Sequence, residues 1–176
     1  MDLFARKIEV CTECRLHNNR KNAVPGEGED DTDVMLIGEA PGKNEDLEGR
    51  PFVGRAGELL EELLESINLD RRDVFITNVV KCRPPDNRDP RKDEIDTCNP
   101  YLEKQIKSIG PKVIVTLGNH ATETLIDKTG MKKIHGEKFE YEGYQLIPMY
   151  HPAAGLYNPG LKETMKEDMQ QLEKFL

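Results

Sequence analysis

The chain has 176 residues, a formal net charge of −8 and a pI near 5.1, which is room for one core between a sheet and its helices and too little for two full domains. The acidic balance excludes a protein that coats nucleic acid through bulk positive charge, so any such contact has to be local. No apolar run is long enough to span a bilayer, and residues 1–10 lack the apolar stretch of a signal peptide, which predicts a soluble, cytoplasmic protein.

In chain order the first feature is Cys11-x2-Cys14, a chelating spacing in a chain whose compartment keeps thiols reduced. The first predicted strand covers residues 34–38 and runs into Gly38-Glu39-Ala40-Pro41-Gly42, followed by Glu45 and Asp46. Glycines there allow close backbone approach to a ligand, and the carboxylates suit the positioning of a water. Residues 49–55 (GRPFVGR) imitate a phosphate-binding loop but carry Arg55-Ala56 in place of the Lys-Ser/Thr pair, which excludes that reading. Phe52 within them is either a core plug or a stacking platform for a base.

A helix follows with Ala56, Leu59, Leu60, Leu63, Leu64 and Ile67 on one face, then a second strand over residues 74–80 containing Asn78. Residues 81–92 concentrate Lys81, Arg83, Arg88, Arg91 and Lys92 against only Asp86 and Asp89, the one local basic stretch that suits a nucleic-acid backbone. A helix over residues 90–109 places Cys98 on its apolar stripe and stops at Gly110-Pro111. The third strand is residues 113–117, the next helix starts with Asn119 as N-cap, the fourth strand is residues 146–150, and a last helix covers 162–175. His151-Pro152 ends the fourth strand, whereas His17, His120 and His135 read as surface or capping residues.

Strands alternating with helices predict a three-layer α/β/α sandwich with a central, mainly parallel four-stranded sheet, a single domain over residues 1–176. In such sheets ligands bind at the carboxyl ends of the strands, where Gly38–Ala40, Asn78 and His151 converge. Cys11, Cys14, Cys82 and Cys98 account for all four cysteines. By ligand type they suit an all-thiolate zinc site or an iron-sulfur cluster, and buried free thiols at Cys82 and Cys98 are the plain alternative.

These segments together resemble family 4 of the uracil-DNA glycosylases, the iron-sulfur branch found mainly in archaea and bacteria. The resemblance is carried by Cys11-x2-Cys14, VPG at 24–26, GEAPG at 38–42, GRPFVGRAG at 49–57, ITNVVKCRPP at 76–85 and YHPAAGLYNP at 150–159. It implies a monofunctional, monomeric repair enzyme that excises uracil from single- or double-stranded DNA, with a structural [4Fe-4S] cluster on Cys11, Cys14, Cys82 and Cys98 fastening the N-terminal segment. It further implies that Phe52 stacks on the uracil, that Asn78 pairs with its O4 and N3–H edge, that the Gly38, Glu39 and Ala40 backbone contacts the ring, and that His151 bonds O2. Lys81, Arg83 and Arg88 are expected to meet DNA, and no feature establishes a sliding-clamp contact.

Three positions depart from the wider superfamily. Ala40 replaces a water-orienting aspartate, leaving Glu45, slightly preferred, and Glu39 as candidates. Gly42 replaces a bulky aromatic that excludes thymine, and His135 stands where many relatives carry Arg or Lys. Two rival readings are a relative that captures uracil-containing strands covalently, which normally has Gln at the Ala40 position, and a zinc-stabilised binding module without chemistry.

Overall fold

The computed structural model describes residues 2–176. A five-stranded sheet runs through its centre in the order β2-β1-β3-β5-β4. Strands β1 (Val34–Gly38), β2 (Phe75–Asn78), β3 (Val113–Leu117) and β5 (Tyr144–Met149) are parallel, and β4 (Phe139–Tyr141) lies antiparallel on β5 at the edge. The mainly parallel α/β sheet matches expectation, and the strand count is corrected from four to five. The extra strand comes from a two-residue hairpin at Glu142-Gly143, where both residues take positive φ (47° and 89°), the backbone that matches the twist of paired strands.

Every residue of β1, β2 and β3 is buried, which explains their near-continuous apolar sequence: both faces of the sheet are covered. On one face Val34 and Leu36 pack with Leu60, Leu63 and Leu64 of α3 (Arg55–Glu65) and with Met165 and Met169 of α8 (Leu161–Gln170). On the other, Met35 and Ile37 pack with Ile8 of α1 (Asp2–Glu9) and with Leu102 and Ile106 of α4 (Lys92–Ile109).

Element ends differ from the sequence reading for local reasons. Strand β2 stops at Asn78 because the Val79 and Val80 N–H groups turn to the carbonyls of Gly38 and Glu39 (2.9 and 3.1 Å). Asn119 is not the N-cap of α5 (Asn119–Ile126), a position held by Gly118. Its Oδ1 instead accepts from the Gly130 and Met131 N–H groups and so starts α6 (Met131–Ile134). The last predicted helix divides into α8 and a 3₁₀ turn at Gln171–Lys174.

After β2 the chain returns across β1 to reach β3, so the strand order reverses outside the carboxyl ends of β1 and β3. That reversal opens a crevice. The loop into α2 (Lys43–Glu48) and the start of α7 (Pro152–Tyr157) form its walls. No helix among the described residues is long and apolar enough to cross a membrane.

Candidate active site and cysteine cavity

The crevice is a pocket of about 430 Å³ whose lining includes Glu39, Ala40, Glu45, Phe52, Asn78 and His151. Six of the residues singled out in the sequence thus meet in one concavity, within the size range of small-molecule sites. Its wall also contains Pro84, Asn87, Arg88 and Ala153, of which the sequence reading had singled out only Arg88 for this region. Asn87 was discoverable only as a turn residue, and its φ of +53° marks a left-handed backbone.

Gly38 explains how the pocket floor closes. A Cβ there would collide with Asn78 Oδ1 and would stand 2.7 Å from the Phe52 ring, so only glycine lets the amide and the ring meet over the end of β1. Asn78 is 2% exposed, and among the described residues none forms a hydrogen bond with its side-chain amide. Since no side-chain nitrogen or oxygen is buried without a partner among the described residues, this amide is open to the pocket it lines, where a ligand can bond it. Phe52 is 5% exposed, and its ring lies 5.4 Å from the His151 ring at 31°.

The state of His151 follows from its contacts. Its Nδ1 accepts from the Ala153 N–H at 3.1 Å, capping α7, so the ring proton sits on Nε2. Burial lowers its pKa to about 4, and the imidazole at neutral pH is a neutral Nε2–H donor. The unfolded chain takes up this proton first, near pH 6.5. His151 therefore subtracts stability as pH falls from about 6.5 toward 4, and above that window its protonation has no effect.

Glu45 uses both carboxylate oxygens on backbone: Oε2 accepts from Gly42 N and Oε1 from Val53 N, each at 3.0 Å. It ties the loop after β1 to the loop that carries Phe52. Glu39 lies at the pocket's edge, where burial raises its carboxyl pKa, the His120 ring opposes the rise and Asp89 adds to it. His120 therefore belongs to this edge group, its Nε2 being 3.6 Å from Asp89 Oδ1. His135 is also engaged, bonding buried Asp168 at 2.9 Å and stacking 5.0 Å from Tyr150, and it is not part of the pocket lining.

Lys81 is a correction. The expected DNA contact is 1% exposed, and its Nζ donates to Thr77 Oγ1, the Asn78 carbonyl and Gln105 Oε1 at 2.6, 2.7 and 2.6 Å. Burial lowers its pKa to about 7. It braces the end of β2 instead of reaching a phosphate. Lys81→Met is expected to leave these acceptors unsatisfied and to cost about 2–3 kcal/mol in a urea titration of the purified protein. An unchanged midpoint would mean that the network contributes nothing.

Of the other two basic candidates, Arg88 forms a two-bond fork with fully buried Glu94 (2.9 and 2.7 Å), and Arg83 Nε donates to Asn87 Oδ1 at 2.7 Å. Both border the pocket loop.

On the far side of residues 78–82, Cys11, Cys14, Cys82 and Cys98 line one cavity with Ile8, Arg20 and Tyr101. Arg20 Nη1 donates to Cys82 Sγ at 2.9 Å, a contact suited to a thiolate. Without a metal, burial pushes the Cys98 thiol up to about 11 and raises Cys82 as well. Tetrahedral zinc, with Zn–S of about 2.3 Å, holds sulfurs roughly 3.8 Å apart. Among the described residues, only Glu39, Asp89 and His120 bring three potential ligand atoms within 4.8 Å of one another, so no three cysteine sulfurs converge that closely. Four thiols around one cavity form a donor set of the all-thiolate kind that holds a metal centre.

Comparison with known proteins agrees with this geometry. Residues 25–173 match the model of the uracil DNA glycosylase superfamily. The chain is 50% identical over 186 aligned residues to the type-4 uracil-DNA glycosylase of Saccharolobus solfataricus, covering 100% of this chain and 86% of that protein. It is 43% identical over 181 residues to the type-4 enzyme of Thermotoga maritima (100% and 94% covered), and 29% identical over 170 residues to a type-5 enzyme of Pyrobaculum aerophilum (84% and 74% covered). The pocket at the sheet's carboxyl ends, the four-cysteine cavity and these near-complete alignments lead to one assignment: the chain belongs to the uracil DNA glycosylase superfamily, among its type-4 members.

Proposed function

We infer that the chain is a monofunctional uracil-DNA glycosylase acting in DNA repair. The observation that carries this reading is the meeting, in one pocket, of the Asn78 amide, which no described residue bonds and which faces the pocket, an aromatic face at Phe52 and a neutral imidazole donor at His151. Flipping the uracil out of a duplex costs a few kcal/mol. Phe52 offers its stacking face, while the Gly38, Glu39 and Ala40 backbone borders the ring. The Asn78 amide accepts from N3–H and donates to O4.

Cleavage then breaks the C1′–N1 bond, and its electron pair leaves with uracil while an oxocarbenium-like sugar remains. His151 Nε2–H points its dipole at the charge growing on O2, which stabilises the leaving anion. A water oxygen bonds C1′ and releases a proton, so that uracil and an abasic site are the products. Glu45, through Gly42 and Val53, holds the loops in place, and Glu39 is the carboxylate freer to orient the water. This reverses the preference drawn from sequence. Arg83 and Arg88 border the DNA path.

The four cysteines would hold a [4Fe-4S] cluster that supplies structure and no redox step. In that role the cluster cross-links Cys11 and Cys14 to Cys82 and Cys98, fastening residues 11–14 beside α4.

Asn78→Asp tests the pocket. A carboxylate repels O4 and cannot donate to it, so uracil excision is expected to fall about a hundredfold or more, with weak cytosine excision gained through acceptance from N4–H. Parental uracil excision by this variant would remove Asn78 from base recognition.

A further inference from the structure

Phe52 carries a bulky side chain at φ +48°, a conformation that such residues avoid unless their surroundings enforce it. Its carbonyl is pressed against the first turn of α3, where a Cβ on Gly57 would overlap it. Two side chains hold the segment. After Phe52, the Val53 N–H is held by Glu45 at 3.0 Å. Before and at Phe52, Arg71 Nη2 donates to the Pro51 carbonyl at 2.6 Å and Nη1 to the Phe52 carbonyl at 2.8 Å.

The planar guanidinium fits two successive carbonyls, a geometry that a lysine cannot copy. Arg71 is itself fixed, being 11% exposed, with Nε donating to Glu27 Oε1 and Nη1 to Glu61 Oε1, both at 3.3 Å. Glu27 is held by Arg50 (2.7 and 2.8 Å) and is bridged through its backbone to Ile76 of β2 (2.9 and 2.7 Å). An unbroken set of contacts therefore ties the Phe52 backbone to the strand that carries Asn78.

We propose that Arg71 is a positioning residue for base recognition, one that locks the left-handed Phe52 so that its ring stays over the uracil site in register with Asn78. The inference rests on the reading of Phe52 as the uracil stacking face. Arg71 does not itself line the pocket and acts through the Pro51 and Phe52 carbonyls.

The test uses the purified holoprotein and two oligonucleotides that differ at one position, 2′-fluoro-2′-deoxyuridine, which resists hydrolysis, or thymidine. The ratio of their dissociation constants reports the base pocket, and contacts to the DNA backbone cancel. Arg71→Lys keeps the charge beside Glu27 and Glu61 but loses the two-carbonyl fork. It is expected to cut the preference for the uracil analogue about tenfold, within the range that base-aromatic stacking supplies. In a Phe52→Ala background the same change is expected to have no further effect.

An unchanged preference in Arg71→Lys, with Phe52→Ala impaired, overturns the proposal. Equal losses in both backgrounds also overturn it, because they describe general loosening. A Phe52→Ala variant with the parental preference overturns the stacking reading itself, and the inference with it. Should Arg71→Lys not be recovered folded, Arg71→Gln, which has one donor group where arginine has a fork, is read by the same ratios.

Discussion

Cys98→Ser is expected to yield colourless protein with iron content near zero and a thermal midpoint lowered by about 10 °C or more. Cys98 sits on the inward stripe of α4, packed in the same apolar cluster as Ile8, Leu16 and Cys82. The other three cysteines come from segments far apart in the chain, so free energy released on binding the proposed cluster would become free energy of folding. Serine offers a weaker, harder donor that does not ionise in so buried a place. Loss of the cluster would also leave Arg20, which donates to Cys82 Sγ, facing a neutral thiol in place of a metal-bound thiolate. Cys82→Ser is expected to behave alike. The measurement is iron analysis with absorbance near roughly 400 nm, where a cluster absorbs and zinc does not. Full iron content in either variant would remove that cysteine from the ligand set.

His151→Ala is expected to slow the single-turnover chemical step by about a hundredfold to a thousandfold while leaving DNA affinity nearly unchanged. The step loses a donor aimed at a charge that exists only in the transition state, which is why the loss appears in rate and not in binding. The substitution also removes the cap on α7, a stability cost of about 1 kcal/mol that a melting curve separates from the chemistry. A pH profile gives a second readout. Since burial holds the ring neutral down to about pH 4, the parental rate should show no inflection near pH 6.5 from this residue. A variant that excises uracil at the parental rate would take His151 out of the mechanism.

The sequence revealed most where a structural cause acts locally. Strands β1 and β3 were legible to the residue because burial on both faces demands continuous apolar runs. Strand β4 was not, since an edge strand needs only Phe139 and Tyr141 facing one way, and Glu142 is an unusual first residue for its tight turn. The candidate pocket residues were nameable because strand ends converge by topology. What they do to one another was not.

Lys81 shows the limit most clearly. In the sequence it is one charge among five in a basic stretch. In the fold it points inward to Thr77, the Asn78 carbonyl and Gln105, and Gln105 lies 24 residues away. Arg71 passed unremarked for the same reason, as its partners Pro51 and Phe52 precede it by 20 and 19 residues. Glu45 was chosen for chemistry from its place after β1, and its two backbone bonds turn that place to anchoring the loops.

Hydrolysis of the N-glycosidic bond of uracil in DNA is the activity to which the pocket and the family both lead. The most direct measurement incubates the purified protein with an oligonucleotide containing one uracil, then treats it with hot alkali and resolves the strand on a denaturing gel. The expected result is an intact strand before alkali, cleavage at the uracil position after it, release of free uracil, and no cleavage of the matching thymine strand. A strand that stays full length after alkali, or a protein-DNA adduct that survives SDS, would contradict it.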